Sequence, residues 1–185
     1  MQTGPFSPVF FLNLAPIHSS ITLGPQRFMK TFATVDELIA CVGQEVSTSD
    51  WIKIDQEKIN QFATATGDHQ WIHTDPIKAS QGPFKTTIAH GFLTLSLIPE
   101  MLRTALCFPP SSMAINYGLN KVRFTNPVPV NSQLRGHFYL LEVESLKDQQ
   151  TQVINGFQMI WRITIEQDGT SKPVCIAESV VRRYH

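Results

Sequence analysis

Asp68 and His73 stand five residues apart in the stretch Phe62-Ala63-Thr64-Ala65-Thr66-Gly67-Asp68-His69-Gln70-Trp71-Ile72-His73-Thr74-Asp75-Pro76. A carboxylate and an imidazole this close, in a turn that follows a short helix, can hold one water between them and polarise it. A second glycine step, Ile88-Ala89-His90-Gly91-Phe92-Leu93, opens an apolar helix. The Gly91 N–H at such an opening, at the positive end of a helix, can hold an oxygen on which negative charge develops. Water is a weak nucleophile at neutral pH, so adding it to an activated double bond needs all of these parts together. Burial beside Trp71, Ile72 and the apolar helix would draw the proton affinities of the two groups toward each other. Asp68, His73 and Gly91 are therefore the candidate catalytic residues.

Each of these residues also has a structural reading. Asp68 follows a helix-ending glycine, where a carboxylate commonly satisfies nearby backbone N–H groups. A lone histidine is more often a satisfied core residue than a catalyst, and it is the combination with Gly91 that favours chemistry. His90 can cap the helix or touch substrate, and His69 is expected to face solvent or a partner subunit. Ser96, on the same helix, can point into a substrate pocket or bond back to a helix carbonyl. Trp71 would wall the pocket, and Arg123, with Lys121 and Arg135, could meet the phosphates of a carrier. A metal site at Asp68, His69, His73, Asp75 and His90 is disfavoured. His69 and His73 have the spacing of helical zinc ligands, but Gly67 and Pro76 bracket a turn and no Glu follows His69.

The elements that must position these groups follow from periodicity. Glu45–Ile54 reads as a strand, and Asp55 caps a helix with Ile59, Phe62 and Ala63 on its inner face. Gly67 ends that helix. From Thr87 to Leu106 the apolar residues leave no solvent face, which predicts one long wrapped helix kinked or locally unwound at Pro99. After Pro109-Pro110 the period becomes alternating. Ile115, Tyr117 and Leu119 share one parity while Val122 and Phe124 take the other, which predicts a bulge near Asn120. Strands follow over 134–140 and 153–165, and Asp168-Gly169 turns the chain into a last strand over 173–181. The order predicts a single α+β domain, an antiparallel sheet around a buried helix.

Composition narrows the class of function. The chain has 185 residues, with 15 basic and 15 acidic side chains in balance, so no electrostatic footprint for nucleic acid is present. No apolar run reaches the ~18 residues of a membrane-spanning helix. Cys41, Cys107 and Cys175 are odd in number and scattered, which reads as reduced thiols of a cytoplasmic protein. Residues 1–28 hold four prolines, no acidic residue and Arg27 as their sole Lys or Arg. They are expected to be a disordered leader or an upstream-start artefact, with the folded domain over 29–185.

The Gly67-Asp68-His69-Gln70-Trp71-Ile72-His73 and His90-Gly91 motifs together resemble the MaoC-like (R)-specific enoyl-CoA hydratases, in particular their NodN-like branch. The resemblance runs from about Met29 to the C-terminus. It implies a single hot-dog fold, the helix near 88–106 lying inside the sheet. It also implies a hydro-lyase without metal or other cofactor, adding water syn across a trans-2-enoyl thioester to give an (R)-3-hydroxyacyl thioester. The partners implied are an acyl-CoA or acyl-carrier thioester and a second copy of the chain in a homodimer. Two departures stand out. Gln70-Trp71 occupies the place of the commoner Asn-Pro, and Asn131-Ser132 that of the usual Gly-Asp turn after Pro127-Val128-Pro129-Val130. Two alternatives are a hot-dog thioesterase, for which Glu100 is the available helix carboxylate, and a non-catalytic acyl-thioester-binding or assembly subunit, which would need neither Asp68 nor His73.

Overall fold

A computed structural model describes residues 29–185; the expectation for residues 1–28 lies outside them. A two-residue strand β1 (Lys30–Thr31) precedes helix α1 (Val35–Ile39) and strands β2 (Gln44–Thr48) and β3 (Ile52–Ile54). The first predicted strand is thus two short ones, both antiparallel to the same later strand. Ser49 bridges the gap: its N–H donates to the Gly136 carbonyl, and its hydroxyl accepts from the Gly136 N–H, each at 2.9 Å.

Helix α2 (Gln56–Thr66) starts and stops where capping chemistry dictates. The Asp55 carboxylate accepts from the Lys58 N–H at 3.0 Å, and Gly67 closes the helix at φ 78°, a left-handed conformation that glycine adopts without Cβ strain. Two short helices follow, α3 (Trp71–Thr74) and α4 (Pro76–Gln81), the second capped by Asp75, which accepts from the Lys78 N–H at 2.9 Å.

The predicted long helix is in fact two helices, α5 (Gly91–Ser96) and α6 (Ile98–Ala105), parted at Leu97. Pro99 is the cause: it has no N–H to give, and its ring crowds the carbonyl four residues back. The chain before Gly91 is extended rather than helical, with Ile88 bridged to Pro129. Nor is the helical pair covered all round. Leu93, Ile98, Met101 and Ala105 are buried, but Phe92 is 69% exposed.

After a short β4 (Leu106–Cys107), which pairs with β1, come four long strands: β5 (Met113–Phe124), β6 (Ser132–Lys147), β7 (Ile154–Gln167) and β8 (Cys175–Tyr184). Strand order is β2-β6-β7-β8-β5, all antiparallel, with β3 also on β6. Strand β5 shifts register twice, between Asn116 and Gly118 and between Leu119 and Lys121, where one bulge was expected. Helix α6 lies against β6; a Cβ at Gly136 would stand 3.2 Å from the Met101 sulfur. Trp161, Phe138, Met159 and Ile163 fill the core beneath it. This is the α+β hot-dog arrangement. Among the described residues no helix is long and apolar enough to cross a membrane.

Candidate active site

Three segments meet at the site: the loop closing α2, helix α3, and the extended strap 87–90 that leads into α5. The strap is pinned on both sides. Ala89 N–H donates to Val128 O at 2.8 Å and Val130 N–H to Thr87 O at 2.9 Å, while Ile88 N–H donates to Ile72 O at 3.0 Å. The Pro-Val repeat at 127–130 thus fixes the strap, and the strap fixes α3.

His73 is buried, and its Nδ1 lies 2.7 Å from the Ile88 carbonyl. A carbonyl can only accept, so Nδ1 carries the hydrogen and Nε2 keeps its lone pair in the neutral ring. Burial holds the pKa of His73 below the usual histidine value, reinforced by His90 and opposed by the Ile88 carbonyl and Asp68. The ring is therefore neutral at pH 7. It lines a cavity of about 340 Å³ together with Phe84, Ile88, Gly91, Thr94 and Phe124.

His90 stacks on His73, ring centroids 3.8 Å apart and planes 26° from parallel. Its Nε2 donates to the Asp68 backbone carbonyl at 2.9 Å and lies 4.0 Å from the Asp68 carboxylate. Its Nδ1 is buried and unpartnered among the described residues. His90 thus ties the Asp68 backbone to the ring that stacks on His73. The Asp68 carboxylate is 56% exposed, so the burial expected around the pair is found at His73 and not at Asp68 in the single chain.

Donor atoms of Asp68, His73 and His90 lie within 4.8 Å of one another. One nitrogen of each ring is already committed to a carbonyl, His73 Nδ1 to Ile88 and His90 Nε2 to Asp68, which leaves one nitrogen on each for any other partner. His69 is exposed and Asp75 is a helix cap, so neither joins the group.

Gly91 lines the same cavity as His73. As the first residue of α5 its N–H has no acceptor within the helix. A Cβ built there would stand 2.8–3.0 Å from the Phe124 ring. The space beside Gly91 is thus taken first by this protein's own aromatic wall. Sequence reasoning placed Phe124 on a strand without a role; the alternation of β5 alone could not reveal that the strand ends at the cavity.

The other candidates lie apart from His73. Trp71 packs over Gly82, where a Cβ would approach its ring to 2.9 Å, and carries Lys78 at 5.2 Å, so it braces the α3–α4 turn. Ser96 donates to the Leu93 carbonyl at 2.8 Å and faces a second cavity, of about 290 Å³, with Leu95, Pro99, Gly118 and Leu119. Arg123 is exposed and donates to the Val122 carbonyl. Arg135 is ion-paired with Glu166 and stacked on Trp51, and Lys121 lies 3.9 Å from Glu178. Glu100 points to solvent on α6, in an ion pair with Arg103 at 2.7 Å that holds its carboxyl below the usual range. It does not enter either cavity.

Comparison with known proteins identifies the family. Residues 38–159 match the model of the MaoC like domain. The chain is 49% identical over 154 residues to 3-hydroxyacyl-thioester dehydratase Z of Mycobacterium tuberculosis, covering 83% of this chain and 98% of that protein. It is 40% identical over 146 residues to nodulation protein N of Rhizobium meliloti, covering 78% and 87%. Among solved structures, the R-hydratase PhaJ1 of Pseudomonas aeruginosa superposes with a TM-score of 0.58 at 28% identity, over 78% of this chain and 82% of that one. With the fold, the paired motifs and these relatives in agreement, the chain belongs to the MaoC-like family of hot-dog hydratases and dehydratases, in the branch that contains nodulation protein N.

Proposed function

We propose that the protein is an (R)-specific enoyl-thioester hydratase/dehydratase with Asp68 and His73 as its acid/base pair and Gly91 as its oxyanion donor. The observation that carries this reading is His73 itself: a buried ring, fixed through Nδ1 with Nε2 unpartnered among the described residues, lining the same cavity as Gly91, whose N–H has no acceptor among them. In hydration, a water held between Asp68 and His73 Nε2 gives one proton to the pair as its oxygen bonds to the β-carbon. The thioester oxygen takes up the enolate charge against the Gly91 N–H, and the pair returns a proton to the α-carbon on the same face. Water is consumed whole, without electron transfer, and the reverse sequence is the dehydration.

The protein acts on this reading as a homodimer joined through β5. That strand is the edge of the sheet, and Met113, Ile115, Tyr117, Leu119 and Phe124 along it are exposed, as is Phe92 on α5. An open apolar edge is a site of pairing, and a second copy seated there would cover Phe92 and Phe124 at the mouth of the cavity.

Crotonyl-CoA is the direct probe. Loss of enoyl absorbance with (R)-3-hydroxybutyryl-CoA as product supports the assignment; an (S) product, or free CoA released by thioester hydrolysis, overturns it.

A further inference from the structure

Gln56, the first residue of α2, makes contacts that a solvent-facing helix residue would not. Its Nε2 donates to the His73 carbonyl at 2.7 Å and to Asn60 Oδ1 at 2.9 Å. Its Oε1 accepts from the Thr87 hydroxyl at 2.5 Å, and Thr87 is fully buried. Thr87 in turn precedes Ile88, whose carbonyl fixes the His73 ring. One side-chain amide thereby closes a ring of contacts running from the His73 main chain through Gln56, Thr87 and Ile88 back to His73 Nδ1.

We infer that Gln56, with Thr87, is a positioning device for the catalytic histidine, holding its backbone and its ring acceptor at a fixed separation. Both amide protons and the amide oxygen are used, so the amide has one orientation: turned over, its oxygen would face the His73 carbonyl and Asn60 Oδ1, two acceptors. Glutamate is the same size but has no donor for the His73 carbonyl, and it brings negative charge to the turn that carries the ring. Glutamine is the residue that satisfies His73, Asn60 and Thr87 together without stabilising a protonated ring. This inference rests on the reading of His73 as the catalytic base.

Two kinds of measurement on the full-length protein separate the inference from that reading. Histidine side-chain NMR follows His73 without substrate; Gln56→Glu is expected to raise its titration midpoint, because a carboxylate favours the imidazolium. Steady-state hydration of crotonyl-CoA by Gln56→Glu is expected to lose ~10–100-fold in kcat, the scale of a slightly misplaced catalytic group. KM should stay within about twofold, because the loss is of transition-state geometry. Thr87→Val should lose rate in the same way and Thr87→Ser should recover it; this pair decides the matter if Gln56→Glu does not fold. A displaced His73 titration in the uncharged Thr87→Val, in a protein that never hydrates enoyl thioesters, would uphold the positioning role and remove the hydratase reading. Wild-type titration and wild-type kcat in both Gln56→Glu and Thr87→Val would overturn the inference.

Discussion

Gly91→Ala is the smallest change that tests how the site holds the thioester oxygen. The new Cβ would lie 2.8 Å from Phe124 Cδ2, 2.9 Å from Cγ and 3.0 Å from Cε2. Carbon atoms rest comfortably at ~3.5–4.0 Å, so either the ring or the opening turn of α5 must give by roughly 0.5–1 Å. Overpacking a tight core costs ~1–3 kcal/mol. In the single chain Phe124 is 43% exposed and can swing outward, which places the cost near the low end of that range; a second copy seated over it would move the cost toward the upper end. For a chain of this size a loss of ~1 kcal/mol lowers Tm by about 2–4 °C. The effect on rate should be larger than the effect on stability. Loss of an oxyanion donor costs ~10²–10³-fold in kcat, and a displaced donor should fall at or below the bottom of that range. The double variant Gly91→Ala/Phe124→Ala removes the clash, so its kcat should return to that of Phe124→Ala alone. Stopped-flow or steady-state hydration of crotonyl-CoA with thermal melts covers all four proteins. A Gly91→Ala enzyme with full activity, or a double variant no faster than Gly91→Ala, would refute the role of this contact.

The pH profile follows from the lowered pKa of His73. On the proposed mechanism its neutral form is the active one, so the acid limb of kcat should fall below the ordinary histidine value of about 6.5. The same shift weakens the fold on acidification: the unfolded chain takes up the proton first, so this contribution is present above pH ~6.5 and is lost as pH falls from there to the depressed folded value. Urea melts across that window measure it. Glu100→Gln should hydrate crotonyl-CoA within about twofold of wild type, since truncating an exposed ion pair changes little; abolished turnover would revive a helix carboxylate as catalyst. Light scattering should report a dimer, and Leu119→Lys on the β5 edge should shift it toward monomer. A wild-type protein that stays monomeric at micromolar concentration contradicts pairing through β5.

Much of the fold was legible because its signals are local. Asp55 and Gly67 marked both ends of α2, and the unbroken alternation from Val153 to Ile165 marked β7. The division of the central helix at Leu97 was readable only as a disturbance near Pro99, since proline reports the weakness and tertiary packing decides where the break falls. The exposure of Phe92 escaped a pattern that counts apolar residues without knowing what covers them. In the site, type and spacing made Asp68, His73 and Gly91 candidates and the family resemblance gave them most of their weight; the structure brings donor atoms of Asp68 and His73 within 4.8 Å and sets Gly91 on the cavity that His73 lines. The acceptor for His73 Nδ1 could not, because it is a backbone carbonyl and carries no residue signature. His90 was legible as a helix-opening histidine, but its stacking on His73 depends on how the strap 87–90 is pinned by 127–130, a contact far apart in the chain.

Asp68→Asn removes the proton-accepting charge and leaves size and turn geometry in place, which makes it the most direct test of the acid/base pair. The measurement is kcat for crotonyl-CoA hydration, with chiral analysis of the product and a circular dichroism check of the fold. Wild type should yield the (R)-3-hydroxyacyl thioester, and Asp68→Asn should lose ~10²–10⁴-fold, the contribution of a positioned acid–base group. His73→Ala should fall as far, and the double variant barely further, because both groups act on one water. A folded Asp68→Asn enzyme that keeps more than about a tenth of the wild-type rate, far outside that range, contradicts the central assignment.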